Sequence, residues 1–306
     1  MIRTLYPIDL LPLLLSPGRL PPNQGIDCGG LSKRSPTSPE ALLEHWLPLK
    51  TRRHTWVFVE RGRIVGLVSL RDCGHPAAWR IDCLQSDGEQ CLALLDRVSA
   101  AASTERVRKL FLRLLSDSPL THQARRSGFS PYKADYVYRL KADPFQATTP
   151  NPQQYGLRPA SKSDDYRLFG LYTAVVPAPV RTAEGMTLTE WQETRDRPAW
   201  PEQHREFVLG TQESITGWLR VKSFRESGCF CILCHESDGE SLELLMKCAI
   251  RSLHAKSSIF CVAYAFQQRL LRLLEDLGFE QMAECSSLMK EMTVKATQPH
   301  FMPVRA

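Results

Sequence analysis

No stretch of this 306-residue chain approaches the about 20 consecutive apolar residues that a membrane-spanning helix requires, so no membrane partner is expected. The leucine-rich start, Ile2 to Leu15, is interrupted by Pro7, Asp9 and Pro12 and is followed by no small-residue cleavage site. With Ile8, Leu11, Leu14 and Leu15 at helical spacing it reads as a strand and an amphipathic helix rather than a secretion signal. Blocks of like charge are missing too. Lys and Arg number 39 and Asp and Glu 33, a net +6 scattered along the chain, which gives no arm for nucleic acid and leaves room for a mildly anionic ligand. The basic clusters at Lys50 to His54 and at Arg106, Arg108 and Lys109 read as solvated surface, with a phosphate or a nucleic acid as the alternative contact. None of the eight histidines forms a His-x-x-x-His pair and no Gly-x-Ser-x-Gly is present, so the usual signatures of zinc hydrolases and serine hydrolases are absent. Without an export signal in a chain this long, the ten cysteines read as reduced thiols and the expected compartment is the cytoplasm.

What the sequence does contain is an ordinary globular composition, 43% hydrophobic and 24% charged, and an internal repeat. Ile64-Val65-Gly66 recurs as Ile215-Thr216-Gly217, 151 positions on (215 − 64). Ser86-Asp87-Gly88-Glu89 recurs as Ser237-Asp238-Gly239-Glu240 at the same offset, and Gly128-Phe129 recurs as Gly278-Phe279, 150 on (278 − 128). Three matches in one order near half the chain length predict two units of one fold: a first domain over 1–143, a proline-containing linker over 144–154 and a second domain over 155–306. A Pro-, Gly- and Ser-rich loop is expected at Ser16 to Pro39.

Each unit reads as a hairpin (Trp56 to Val59 with Ile64 to Leu70; Phe207 to Leu209 with Ile215 to Val221) and a third strand (Trp79 to Leu84; Cys229 to Cys234). A helix follows (Glu89 to Ala102; Glu240 to His254), then a strand (Lys109 to Leu115; Ser258 to Tyr264), a helix ending at Gly-Phe, and a last strand (Tyr132 to Leu140; Cys285 to Val294).

This order, with a glycine turn between the third strand and its helix and Gly-Phe closing the last helix, resembles the GNAT superfamily of acyl-CoA-dependent N-acetyltransferases, once per half. The resemblance implies an α+β fold of two tandem GNAT-like domains packed as an intramolecular pseudo-dimer. It implies acetyl-CoA as cofactor and a small amine as acceptor, and no metal or haem. Its Arg/Gln-x-x-Gly-x-Gly/Ala turn, whose amides bind pyrophosphate at a helix N-terminus, corresponds to Gln85, Gly88 and Gln90, within a candidate cofactor-binding stretch Gln85, Ser86, Gly88, Glu89, Gln90 and Cys91, and to Glu236, Gly239 and Ser241 in the second half. Only the central glycine is kept in both.

The same residues form Ser-x-x-Glu, a capping box in which Ser86 and Ser237 cap the helices and Glu89 and Glu240 fold back, an effect of ~1 kcal/mol. A carboxylate then stands where phosphate would sit, at a repulsion of ~1 to 4 kcal/mol at 4 Å. Weak cofactor binding is therefore expected, at the first half if at either. The tyrosine that in many relatives precedes Gly-Phe by four residues is replaced by Ala124 and Leu274. Candidate catalytic residues are Asp82 and Glu236 as bases and Tyr264 as an acid beside the cleft, and Pro177 to Trp191, with Val180, Arg181 and Glu184, corresponds to the wall of the acceptor site. A catalytically inactive binding or scaffolding protein of the same fold is the alternative. Finally, Cys231-Ile232-Leu233-Cys234-His235 matches the string of haem attachment, but on a strand Cys231 and Cys234 point to opposite faces and share no ligand.

Overall fold

A computed structural model of the chain describes residues 1–15, 20, 21, 23, 25, 53–72, 78–141, 157–194, 204–211, 213–224 and 226–293. The linker expected at 144–154 and Val294 lie outside the described residues, as does most of the loop expected at Ser16 to Pro39. No helix among the described residues is long and apolar enough to cross a membrane.

The strands of the first half are β1 (Ile2–Thr4), β2 (Arg53–Glu60), β3 (Arg63–Asp72), β4 (Ala78–Gln85), β5 (Lys109–Leu115) and β6 (Ser130–Lys141). Those of the second are β7 (Leu157–Pro159), β8 (His204–Gly210), β9 (Ile215–Ser223), β10 (Ser227–Cys234), β11 (Ser258–Tyr264) and β12 (Glu280–Glu291). The first half carries helices α1 (Leu10–Leu15), α2 (Gly88–Thr104) and α3 (Thr121–Arg126). The second carries α4 (Asp165–Val175), α5 (Ala178–Glu184), α6 (Leu188–Thr194), α7 (Gly239–Ser252) and α8 (Gln268–Asp276).

The repeat is visible in the ladders. Both hairpins carry a register shift at matching places, between Phe58 and Val59 and between Leu209 and Gly210. Both halves also open with the same clasp, which the sequence offsets do not reveal. Arg3 grips Asp9 with both guanidinium nitrogens while the Tyr6 amide donates to the same carboxylate, and Arg158 grips Asp164 while the Ser161 amide donates. β4 and β5 run parallel and pair from Ala78 to Ile81, β10 and β11 from Ser227 to Phe230, and each pair splays beyond.

All twelve strands form one sheet, in the order β1-β2-β3-β4-β5-β12-β6-β11-β10-β9-β8-β7. The last strands are exchanged: β5 takes β12 from the second half as its neighbour, β11 takes β6 from the first, and β6 and β12 pair with each other at the centre. The pseudo-dimer is thus continuous through backbone hydrogen bonds, and neither half presents an open inner edge.

Alternation along the strands divides the core. Leu219, Phe230, Ile232 and Cys234 pack under α7 and α8, whereas Trp218 and Leu233 face α4 to α6 on the opposite side of the sheet. In the first half Val68, Leu70, Ile81 and Leu112 pack under α2 and α3.

Candidate functional site

On the face covered by α4 to α6 the sheet leaves a cavity of about 170 Å³, built from both halves. Its position follows from local sequence. Gly185 has φ +151°, and a Cβ there would run into the backbone of Glu190 and Trp191. Only glycine allows the chain to turn so tightly between α5 and α6, which puts Glu184 and Trp191 into one wall. Lys109, from the first half, donates to the carbonyls of Thr182 (3.1 Å) and Ala183 (2.8 Å), a cation at the C-terminal end of α5 that pins the helix over the sheet. From β6 come Tyr132, Lys133 and Asp135. Lys133 opposes Ser287 and Pro131 opposes Leu288, so Tyr132 is the unpaired residue of a bulge, and two successive side chains reach the same cavity.

The polar lining forms a buried network. Lys133 Nζ donates to Glu184 Oε1 at 2.5 Å and lies 3.8 Å from Asp135 Oδ1. Asp135 is 3.0 Å from Arg113 Nε and accepts from Ser287 Oγ at 2.7 Å. Burial works against the charge on Lys133, but Glu184 and Asp135 outweigh it and hold the ammonium well above its ordinary range. Burial pushes the Tyr264 phenol up to about 12, and raises Tyr132 and Tyr172 further, so all three are protonated at neutral pH. Lys133 Nζ sits 4.3 Å from the centre of the Tyr264 ring. Tyr172 Oη is buried and has no hydrogen-bond partner among the described residues.

Of the residues singled out in the sequence, Tyr264, Glu184, Val180 and Trp191 line the cavity. Asp82 does not reach it: Arg53 binds both of its oxygens (2.9 and 2.7 Å) and Arg71 stands 3.8 Å away, which makes it the anion of a buried ion cluster. Glu236 is exposed and turned away, accepting from the Arg269 amide at 3.2 Å. The expected capping boxes are corrected as well. Ser86 Oγ donates to the carbonyl of Asp87, which is the N-cap of α2 and makes no side-chain capping bond, and Asp238 rather than Ser237 caps α7, accepting from the Ser241 amide at 3.0 Å. Cys91, on the inner face of α2, is fully buried in the core. Cys231 lines the cavity and Cys234 the core under α7, on opposite faces as strand alternation requires. The basic cluster at 50–54 is spent on the fold where it is described: Arg53 holds Asp82, and His54 stacks on Trp56 and packs at a tilt against Trp79.

The two splays differ. In the first half the chain's own N-terminal segment enters: Gly25 bridges to Leu114, Asn23 Oδ1 accepts from the Leu84 amide (2.8 Å), and Gln85 Nε2 donates to the Pro21 carbonyl (3.1 Å). A Cβ on Gly25 would press on the Leu84 amide nitrogen at 3.1 Å. In the second half Gln267 spans the splay, donating to the Ile232 carbonyl (2.8 Å) and accepting from the Tyr264 amide (3.0 Å). The turn into α7 is longer there than the turn into α2, and a Cβ on Gly239 would collide with the guanidinium of Arg269, which lies over the start of that helix.

Lys133, Asp135, Tyr132, Tyr172 and Arg113 were not singled out by sequence reasoning. The available signal for Lys133, Asp135 and Arg113 was charge inside the expected strands, and nothing in the sequence marked Tyr132 or Tyr172.

No protein-family model matches the chain, and no curated protein sequence matches it. Solved structures do. A tandem GNAT protein from the clavulanic acid biosynthesis pathway, solved without acetyl-CoA, aligns at TM-score 0.55 and 15% identity over 97% of this chain and 99% of that one. A GCN5-related N-acetyltransferase from Sphaerobacter thermophilus aligns at 0.56 and 13% over 95% of each chain. A putative acetyltransferase from Pyrococcus horikoshii aligns at 0.55 and 11% over 97% and 91%. With coverage across both halves, the chain has the tandem GNAT fold, two acyl-CoA N-acyltransferase-like units in one polypeptide.

Proposed function

We propose that the chain is an acyl-CoA-dependent N-acyltransferase whose working site is the cavity beside the β10/β11 splay, with a small amine as acceptor. The observation that carries this reading is the contrast between the halves. The first splay is filled by Pro21, Asn23 and Gly25. The second is spanned by one side chain, Gln267, and lies beside a cavity that presents a protonated phenol, Tyr264, at the end of β11.

The residues around α7 suit the cofactor. Gly239 makes room for the Arg269 guanidinium at a helix N-terminus, and both are partners of phosphate. Glu236 accepts from the Arg269 amide and Asp238 from the Ser241 amide, and with Glu240 in the first turn of α7 they are the negative charge that the Arg269 guanidinium has to offset. Gln85, Ser86, Gly88, Glu89 and Gln90 shape the turn beside the filled splay, so Gly239 and Arg269 are the residues that would hold the cofactor.

When bound, acyl-CoA supplies a thioester, whose acyl carbon bonds to the amine nitrogen as its bond to sulfur breaks. Tyr264 holds the proton that the leaving sulfur needs, and the proton released by the amine restores the phenol, so the exchange balances. Lys133 stays charged and serves as a fixed cation beside that ring. The rival reading, a binding protein without turnover, draws on Gln267, whose side chain spans the same splay. Calorimetry with acetyl-CoA separates them: the acyltransferase reading expects one site per chain, weakened by Arg269→Ala, and release of CoA thiol in the presence of acceptor. Two sites, or none, would refute it.

A further inference from the structure

We infer that acyl transfer at this site runs through Cys231, whose thiol takes the acyl group from acyl-CoA before the amine receives it. The inference rests on the acyltransferase reading of the same cavity and divides that transfer into two steps. Of the eight cysteines described, seven are buried, and Cys231 alone stays partly open, on the cavity wall. Its place follows from the ladder. β10 and β11 pair in parallel as far as Phe230 and Cys261, so Cys231 is the first residue of β10 past the last pair, at the mouth of the splay. Side chains alternate along a strand, so Cys231 shares the cavity face with Leu233, and Val262 and Tyr264 meet it from β11. The thiol and the Tyr264 phenol are near enough that a charge on one is felt by the other.

The same cavity holds an unsatisfied hydroxyl. Tyr172 is 4% exposed, the groups around its oxygen, Glu184, Lys133, Tyr132 and Tyr264, all line the cavity, and it has no hydrogen-bond partner among the described residues. A buried hydroxyl so placed is completed by a group that enters the cavity. The carbonyl oxygen of an acyl thioester is an acceptor of that kind.

At neutral pH a cysteine is a few per cent thiolate and strongly nucleophilic, so it depends less on a dedicated base than an amine does. That matters here, because the cavity's carboxylates are engaged, Asp135 by Arg113 and Ser287 and Glu184 by Lys133. In the first step Cys231 Sγ bonds to the acyl carbon as the bond from that carbon to the CoA sulfur breaks. Tyr264 gives its proton to the departing sulfur and takes the one the thiol releases. In the second step the amine nitrogen bonds to the same carbon and the bond to Sγ breaks. Tyr264 then protonates Sγ and recovers a proton from the amine, so both steps balance.

The test uses the full chain, acetyl-CoA and no amine. After incubation and an acid quench, the intact mass rises by one acetyl group, peptide mapping places it on Cys231, and neutral hydroxylamine removes it, as it does a thioester and not an amide. Isotope-labelled free CoA added to the same mixture exchanges into acetyl-CoA, because the first step is reversible. Cys231→Ala loses the acetyl group and slows the exchange at least about 100-fold, with its unfolding temperature unchanged and its acetyl-CoA affinity, by calorimetry, within about twofold. An acetyl group on another residue, or exchange that persists in Cys231→Ala, overturns the inference. Acetyl-CoA binding with neither acetylation nor exchange overturns it alone and leaves the acyltransferase reading with direct transfer. No acetyl-CoA binding removes both. The mapping is done on the parent chain, so it decides even if Cys231→Ala fails to fold.

Discussion

Asp135 on β6 stands opposite Cys285 on β12, two residues 150 positions apart (285 − 135) that pair across the centre of the sheet. Each is the other's counterpart in the repeat, so the pseudo-twofold axis passes between them. On its other side Asp135 is in register with Tyr264, and Cys285 with Leu115.

This exchange predicts that the halves are not autonomous. Produced separately as 1–143 and 155–306, each leaves a parallel-paired strand, β5 or β11, without its antiparallel neighbour. Neither half should show cooperative unfolding alone, and mixing them should restore it as a one-to-one complex by light scattering. Two independently stable, non-associating halves would contradict the exchange.

The element order was legible because apolar periodicity is local. Lys109 to Leu115 is a strand with the bounds read from sequence, and both hairpins, α2 and α7 fall where expected. Strand partners were not legible, since β6 buries the same face beside β5 or beside β11. Nor was the division of labour among carboxylates. Whether Asp82 acts as a base or an ion-pair anion depends on Arg53 and Arg71, which reach it from other strands, and Glu236 is claimed by Arg269 from α8. The network around Lys133 joins residues 51 apart in sequence, Lys133 and Glu184, and no local motif announces it.

The clasp at the head of the second half gives a pH dependence. Bidentate bonding to Arg158 holds the Asp164 carboxyl well below its ordinary value, against the opposing effect of burial. A carboxyl with a lowered folded pKa contributes stability above its unfolded value, about 3.9, and loses it as pH falls towards the folded one. Asp164→Asn should cost about 1 to 3 kcal/mol at pH 7 by urea unfolding. The gap from the parent protein should narrow below about pH 4. A gap independent of pH would show that the clasp does not depend on charge.

Tyr264→Phe removes the proton donor and keeps the ring over which Lys133 lies. Turnover should fall about 10²-fold or more while acetyl-CoA affinity, read by calorimetry, stays within about twofold. Unchanged turnover would assign the proton to another group.

The central claim is that the second half alone receives the cofactor, and hydrogen exchange on the full chain with and without saturating acetyl-CoA tests it most directly. The account predicts slowed exchange at 231–242 and 264–271, around Gly239, Arg269 and Gln267, with residues 83–91 unchanged. Slowed exchange at Gln85 to Cys91, with Gly239 and its neighbours unaffected, would contradict it.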